Sequence, residues 1–352
     1  MSENKKVIDQ GGEYRFVPDF TTTELPGGVY YPDYNSNGEF ILVESADFPS
    51  ESIETVEDPP FGELIEYKEE DFFSTKPKSG QTENDNEDTE DSSDSLKTAE
   101  VEAEWTEDSY FPLQKYNPGL KEAEENINKF LSSKQYYEQN DISYRRSLLF
   151  FGPAGTSKSF YVSNKCHRLV QKVNAVCIRL ETHSQIEIFA EDGMREVANG
   201  IPDRMKIVVF EELSEVTRHD QIKQYIVNIL ESRQLRENVL FLATTNDPEK
   251  LPDNFVDRPG RLDFLHGVYA RDNDPSYVPK FYEHLIGEEY PIDDEEWTKK
   301  IGTELTPAYI KGLFVTAKER NESLKKTYER IKERRQLVDN NFRRNPTGFT
   351  MN

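Results

Sequence analysis

The stretch from residue 147 to residue 159 constrains the fold of this chain more than any other. Its apolar residues 147–151 lead directly into a glycine-rich turn that ends in Lys158-Ser159. A buried strand, such a turn and a following helix form a phosphate-binding loop, because backbone N–H groups at the helix N-terminus point toward the phosphate oxygens. This order predicts a parallel α/β sheet with a nucleotide site at the carboxyl ends of its strands.

The turn follows the Walker A pattern with one departure. Ser157 stands at the position where the pattern has glycine, immediately before the lysine. Lys158 supplies a cation for the phosphates, and the hydroxyl of Ser159 is a ligand for Mg²⁺. The residues predicted to bind the nucleotide are Gly152, Pro153, Ala154, Gly155, Thr156, Ser157, Lys158, Ser159 and Phe160.

Two carboxylates follow a second apolar run at residues 206–210. We expect Glu211 to hold Mg²⁺ together with Ser159, and Glu212 to orient and deprotonate an attacking water. The usual residue at the first of these positions is Asp, and Glu211 is one methylene longer. The alternative interpretation is an acidic strand end that is simply solvated.

A polar residue and two arginines follow the third apolar run, residues 239–243. Asn246 is expected beside the γ-phosphate, where it would position the water; its alternative role is in the turn before Asp247-Pro248. Arg258 and Arg261 flank a Pro-Gly turn, and guanidinium groups placed in this way stabilise the charge of a transferring phosphoryl group, often from a neighbouring subunit. The predicted catalytic residues are Glu212, Asn246, Arg258 and Arg261.

Taken together, these motifs resemble the AAA-family ATPases, a branch of the P-loop NTPases. Residues 130–137, 142–147, 243–251 and 306–314 are most similar to the clade of the mitochondrial AAA chaperone that translocates the folded Rieske iron–sulfur protein. The resemblance covers roughly residues 115–320. That chaperone carries an N-terminal membrane anchor, and we find no comparable apolar stretch here, so its substrate is not carried over.

The resemblance implies ATP and Mg²⁺ as cofactors and a homo-oligomeric ring of six or seven subunits. It also implies a large α/β ATPase subdomain over residues 113–274 and a small helical lid over residues 275–340, followed by a tail at 341–352. Within the lid, Thr306 is a good N-cap and Pro307 suits the first helical position.

The spacing of the apolar runs predicts the same architecture without the resemblance. Strands are expected at about residues 147–151, 176–180, 206–210, 239–243 and 267–269, separated by segments of helix length. Alternating strands and helices form a parallel sheet that is covered on both faces. We therefore predict a five-stranded parallel sheet flanked by helices.

The net charge of −24 is concentrated in the N-terminal third. Residues 1–110 carry 30 Asp and Glu against 7 Lys and Arg. Residues 74–112 are predicted to be a disordered acidic linker, because they have too little apolar surface to offset chain entropy. Residues 1–73 contain β-prone aromatic runs around a hairpin signal at residues 35–38. They are interpreted as a β-like module or a partner-binding arm, with a merely solubilising arm as the alternative.

Three further expectations concern single residues and the compartment. Phe189 either grips a polypeptide in a central channel or packs a helix on the sheet. Cys166 and Cys177 are expected to be reduced core residues. The apolar runs have strand length and no secretory signal is visible, so the protein is expected to be cytoplasmic, without membrane insertion.

The predicted function is ATP hydrolysis in a ring that remodels or translocates a macromolecule, with protein favoured over nucleic acid. One alternative is a nucleotide-gated scaffold with negligible hydrolysis, because Ser157 and Glu211 both depart from the usual pattern. The other is a nucleic-acid motor or loader. The acidic N-terminal third argues against it, whereas the predicted last helix, residues 317–344, carries 10 Lys and Arg against 5 Asp and Glu.

Overall fold

A computed structural model describes the backbone of residues 5–8, 14–17, 25, 27–34, 40–45, 110–256, 258 and 260–338. The linker is predicted at residues 74–112, and its residues 74–109 lie outside these ranges, as does the tail predicted at residues 341–352. Tyr110 and Phe111, at the end of the predicted linker, are described and buried. The described part of the chain is an α/β structure built around a seven-stranded sheet, with a second, two-stranded sheet near the N-terminus.

The elements are numbered along the chain. The strands are β1 (Lys5–Ile8), β2 (Tyr14–Val17), β3 (Gly28–Tyr34), β4 (Phe40–Glu44), β5 (Arg145–Phe151), β6 (Val176–Leu180), β7 (Lys206–Phe210), β8 (Val239–Thr245) and β9 (Phe264–Gly267). The helices are α1 (Pro118–Leu131), α2 (Lys134–Gln139), α3 (Lys158–Val173), α4 (His183–Ile188), α5 (Met194–Gly200), α6 (Leu213–Val216), α7 (Asp220–Leu230), α8 (Asp253–Val256), α9 (Tyr277–Ile286), α10 (Glu295–Glu304), α11 (Pro307–Glu319) and α12 (Leu324–Val338). The strand order in the large sheet is β4-β3-β6-β7-β8-β5-β9.

The five strands β6, β7, β8, β5 and β9 are mutually parallel, which confirms the predicted α/β architecture. Every residue of β7 and β8 is buried, as expected for strands that are covered on both faces. On α1, Leu120, Ala123, Ile127 and Phe130 recur at helical spacing and are buried. The Asn117 side chain caps the helix by accepting a hydrogen bond from the N–H of Leu120.

The fifth parallel strand begins three residues earlier than the sequence predicts. It covers Phe264–Gly267 instead of 267–269, and it pairs with β5 from Leu148 to Phe151. The apolar pattern of the sequence does not indicate this strand, because the strand contains the polar residue His266, which is almost fully buried. A polar residue at a buried strand position cannot be recognised from periodicity alone.

Two strands from the N-terminal third widen the predicted five-stranded sheet to seven. β3 pairs in parallel with β6, and β4 returns antiparallel to β3, so the two runs around the predicted hairpin do pair. The turn residues 35–39 lie outside the described residues. Val29 and Leu42 are buried in the core. Arg204 connects the residues before β3 to the end of α3 by donating hydrogen bonds to the carbonyls of Leu25 and Asn174.

Four helices among the described residues, α9 to α12, follow residue 275, in the region where the sequence predicts a helical lid. The predicted single helix over residues 317–344 is wrong, because α11 ends at Glu319 and α12 begins at Leu324. Asn321 has a left-handed backbone with φ of 50°, and the N–H of Glu322 donates to the carbonyl of Ala317, which closes the end of α11. Residues beyond 338 are outside the described range.

The first turn of α11 lies directly against the glycine-rich turn before α3. The N–H of Ala308 donates to the carbonyl of Gly155 over 3.2 Å. Thr306 is the N-cap residue and Pro307 follows it, as predicted, but the Thr306 side chain makes no capping hydrogen bond. Among the described residues, no helix combines the length and apolar character needed to cross a membrane.

Candidate functional site

The turn between β5 and α3 has the backbone geometry of a phosphate-binding loop. Gly152 has φ of 141°, and a Cβ at this position would lie 2.3 Å from the carbonyl oxygen of Val268, so only glycine fits. Ser157 has φ of 75° and ψ of 22°, the left-handed conformation that glycine adopts freely. The departure from the sequence pattern therefore leaves the loop conformation intact, at a strain of about 1–2 kcal/mol for a residue with a Cβ.

Lys158 is the cation at the centre of this loop. It is only 4% exposed, and its Nζ donates to the carbonyls of Gly152 and Pro153 and to Oδ1 of Asn246, over 2.7, 2.9 and 2.7 Å. Burial lowers the pKa of Lys158, whereas Glu212 and Glu211 oppose that shift. The lysine thus connects the loop to the tip of β8, where Asn246 lies.

Glu211, at the tip of β7, is held by hydrogen bonds to both of its oxygens. Its Oε2 accepts from the hydroxyls of Ser159 and Thr244, each over 2.8 Å, and its Oε1 accepts from Nη2 of Arg179 over 3.2 Å. Ser159 and Glu211 therefore lie side by side, as predicted. Their hydroxyl and carboxylate oxygens are the hard ligands that Mg²⁺ prefers, so this pair fits the metal that the family implies.

Glu212 and Asn246 form a second polar pair beside Lys158. Nδ2 of Asn246 donates to Oε1 of Glu212 over 2.7 Å, and the backbone N–H of Glu212 donates to Thr244 Oγ1 over 3.1 Å. Burial raises the pKa of Glu212, although the Lys158 ammonium lowers it. Glu212 also has a left-handed backbone, with φ of 47°, and strained residues of this kind cluster at functional sites.

The structure separates the two predicted arginines. Arg258 is exposed. Arg261 is only 3% exposed, and its guanidinium is bound within the chain to the carboxylate of Glu231 and the carbonyl of Asn254. A second arginine, Arg145, donates to the carbonyl of Gly260 and so supports the same turn. Among the described residues, neither arginine bonds to the polar group at the strand tips, which consists of Lys158, Ser159, Glu211, Glu212 and Asn246.

Sequence reasoning missed three residues around the site. Thr244 bonds to Glu211, and Arg179 bonds to the same carboxylate from β6. The sequence does contain a signal for Arg179, because an arginine within an otherwise apolar predicted strand is unusual. Tyr110 stacks on the exposed ring of Phe160 with centroids 5.3 Å apart, so an aromatic pair borders the end of the loop.

Phe189 belongs to the core, so the interpretation as a channel-facing residue is wrong for this chain. Its side chain has no exposed surface, and it lies in a π-helical turn, Phe189–Gly193, within the apolar cluster against which Phe40 packs. Cys166 and Cys177 are both buried free thiols, as predicted.

Comparisons with known proteins agree with these motifs. Residues 148–268 match the family described as "ATPase family associated with various cellular activities (AAA)". The "Probable mitochondrial chaperone bcs1" of Schizosaccharomyces pombe is 23% identical over 205 residues, which cover 55% of this chain and 43% of that protein. The "Mitochondrial chaperone BCS1" of Homo sapiens is 20% identical over 221 residues, 54% of this chain and 48% of that protein. The Bos taurus protein of the same name is 22% identical over 211 residues, with the same two shares.

The resemblance expected from the motifs is therefore confirmed, although the chain spans less than half the length of these curated relatives. The expected cytoplasmic location is contradicted, because all three relatives are mitochondrial chaperones. That expectation rested on the absence of a secretory signal and of a long apolar run. Neither feature distinguishes the cytosol from a mitochondrial compartment.

Proposed function

We propose that residues 148–268, which match the AAA family model, form an ATPase domain that binds ATP with Mg²⁺ and hydrolyses it. The observation that carries the proposal is one connected polar network at the strand tips. Lys158 bonds to Asn246, Asn246 bonds to Glu212, and the neighbouring pair of Ser159 and Glu211 supplies oxygen ligands. Cation, base and metal ligands thus lie beside a loop whose backbone is shaped for phosphates.

In this proposal each part has a separate task. Lys158 and the N–H groups of the loop bind the β- and γ-phosphates, because a cation and a helix N-terminus both favour negative charge. Ser159 and Glu211 would hold Mg²⁺. When bound, the metal would neutralise charge on the phosphate oxygens and make ADP a better leaving group.

Glu212 is proposed as the general base. A water oriented by Asn246 and Glu212 attacks the γ-phosphorus and gives its proton to the Glu212 carboxylate. The bond from the γ-phosphorus to the bridging oxygen breaks, which leaves ADP and inorganic phosphate. The raised pKa of Glu212 suits this task, since a stronger base takes up a proton more readily.

We further propose that the chain acts in a ring of six or seven copies and that Arg258 reaches the nucleotide of the adjacent copy. Arg258 is exposed, as a group that acts on a neighbour must be. Arg261 instead fixes the turn from within, through Glu231 and Asn254. This assignment changes the sequence-based expectation, in which both arginines reach across.

The relatives are named as mitochondrial chaperones, which supports a protein substrate for this chain and a mitochondrial location. We therefore propose that hydrolysis drives the remodelling or translocation of a protein. A nucleotide-gated scaffold is the second candidate, because Ser157 strains the loop and Glu211 already accepts three hydrogen bonds.

The experiment compares phosphate release by the parent with release by Glu212→Gln, alongside binding of a fluorescent ATP analogue. Removal of the base should slow release about 100-fold or more, while binding persists. The matched control is Glu215→Gln, an exposed carboxylate on α6, which should leave release unchanged. Binding without measurable release by the parent would favour the scaffold, and absence of binding would refute both.

A further inference from the structure

Arg179 occupies an unusual position, because it is a charged residue within the apolar strand β6. Its side chain is 18% exposed, and its three guanidinium nitrogens all have partners. Nη2 donates to Oε1 of Glu211 over 3.2 Å, Nε to Oε1 of Glu181 over 2.8 Å, and Nη1 to Oγ of Ser163 over 2.9 Å. Arg179 therefore connects the tip of β7 with α3, the helix that follows the phosphate loop.

Arg179 reduces an excess of negative charge around the loop. The carboxylates of Glu211 and Glu212 lie beside the ammonium of Lys158, which by itself leaves one negative charge in excess. ATP is a highly charged anion, and an excess carboxylate beside its phosphates opposes its binding. The salt bridge from Arg179 to Glu211 offsets part of that excess, because the same guanidinium also pairs with Glu181 over 2.8 Å.

We propose that Arg179 is a positioning and charge-balancing residue for Glu211, which permits the triphosphate to bind before the metal does. By occupying Oε1, Arg179 also leaves Oε2 directed at Ser159, the arrangement needed for a shared metal ligand set. This inference rests on the proposed function. It adds a residue that neither the loop motif nor the family match identifies.

The surroundings of Arg179 support a permanent positive charge. Burial disfavours the charged guanidinium, but Tyr31 and the nearby carboxylates of Glu181 and Glu211 outweigh burial and raise the pKa of Arg179. The N-terminal strand β3 contributes to this burial, since it pairs with β6 up to Ile178, the residue before Arg179. Low exposure strengthens the ion pair relative to one on the surface.

The test measures the affinity for a fluorescent ATP analogue in EDTA and in Mg²⁺. Arg179→Ala should weaken binding in EDTA by about fivefold, with a smaller loss in Mg²⁺, because the metal replaces the missing positive charge. Glu211→Gln should strengthen binding in EDTA. The double variant Arg179→Ala/Glu211→Gln should regain the parental affinity in EDTA, which a purely structural role for Arg179 would not allow.

The matched control is Arg195→Ala, an exposed arginine with its own carboxylate partners, which should bind the analogue like the parent. If Arg179→Ala does not fold, Arg179→Met keeps the length of the side chain without its charge. If neither folds, unchanged binding of Glu211→Gln in EDTA overturns the proposal. A double variant that binds as weakly as Arg179→Ala also overturns it. Failure of the parent to bind the analogue instead refutes the proposed function.

Discussion

Two residues with left-handed backbones lie on either side of the proposed phosphate site. Ser157 precedes the first residue of α3, and Glu212 follows the tip of β7. Neither is a residue that favours this conformation, so each is held there by its surroundings. The left-handed backbone of Ser157 gives the loop the curvature that the proposed phosphate site needs. The left-handed backbone of Glu212 directs its carboxylate at Asn246.

We predict that Ser157→Gly stabilises the fold. Glycine relieves the strain of the left-handed backbone, but its unfolded chain is more flexible, so the net gain in the free energy of unfolding should be about 0.5 kcal/mol. Urea unfolding measures this difference. Ser157→Ala keeps the Cβ and the strain, so it should not be stabilised; a loss of stability in Ser157→Gly would contradict the assigned backbone conformation.

The raised pKa of Glu212 predicts a pH-dependent effect on stability. Because the folded state favours protonated Glu212, this group contributes stability below its unfolded pKa and loses that contribution as pH rises through the folded pKa. The neutral amide introduced by Glu212→Gln imitates the protonated carboxyl group. This variant should therefore have a higher thermal unfolding midpoint than the parent at pH 7. The difference should shrink as the pH falls toward about 4.5, the ordinary pKa of the group, and should be small below it. A lower midpoint at pH 7 would show that attraction to Lys158 outweighs burial at this carboxylate.

At the scale of elements, the N-terminal strands β3 and β4 are part of the seven-stranded sheet. β3 covers the edge of β6, and β4 covers β3, so the core extends into the part of the chain with the most acidic composition. The arm interpretation treated residues 1–73 as a unit beside the domain. The paired strands instead predict that changes in this region alter the stability of the domain itself.

Leu42→Ala tests this directly. Leu42 has no exposed surface, and deletion of a buried leucine side chain should cost about 3 kcal/mol of unfolding free energy. The matched control is Leu265→Ala on β9, where the leucine is 43% exposed and the cost should be below about 1 kcal/mol. Equal, small effects of both substitutions would indicate that β4 does not pack on the core in solution.

At the scale of the whole molecule, the proposed mechanism needs two copies for one active site. The chain itself supplies the phosphate loop, the metal ligands and the base, whereas its exposed Arg258 has no nucleotide-site contact of its own among the described residues. Arg145 and Arg261 hold the turn that carries Arg258 against the end of α7. An exposed cation beside this turn suits an intersubunit role.

Complementation of two inactive variants tests this arrangement. Arg258→Ala lacks the proposed trans group and should hydrolyse about 10³-fold more slowly, while Lys158→Ala cannot bind the nucleotide phosphates. A mixture of the two variants should regain part of the activity. In mixed rings, a Lys158→Ala copy supplies its Arg258 to the intact phosphate loop of a neighbouring Arg258→Ala copy. Arg236→Ala, which removes another exposed arginine, is the control. No recovery in mixtures that co-assemble by light scattering would rule out the trans role.

Local sequence was sufficient to predict the four parallel strands β5 to β8 and the meeting of Lys158, Ser159, Glu211, Glu212 and Asn246. The reason is that each of these residues follows a buried strand, and the carboxyl ends of parallel strands lie at one edge of the sheet.

Only the tertiary structure decided which side chains are buried by distant parts of the chain and which strands pair. Phe189 and Arg261 are covered by contacts distant in sequence, β3 joins β6 across a long stretch of chain, and Arg179 meets Glu211 through strand pairing. Burial and register depend on such non-local contacts, and periodicity within a segment carries no information about them.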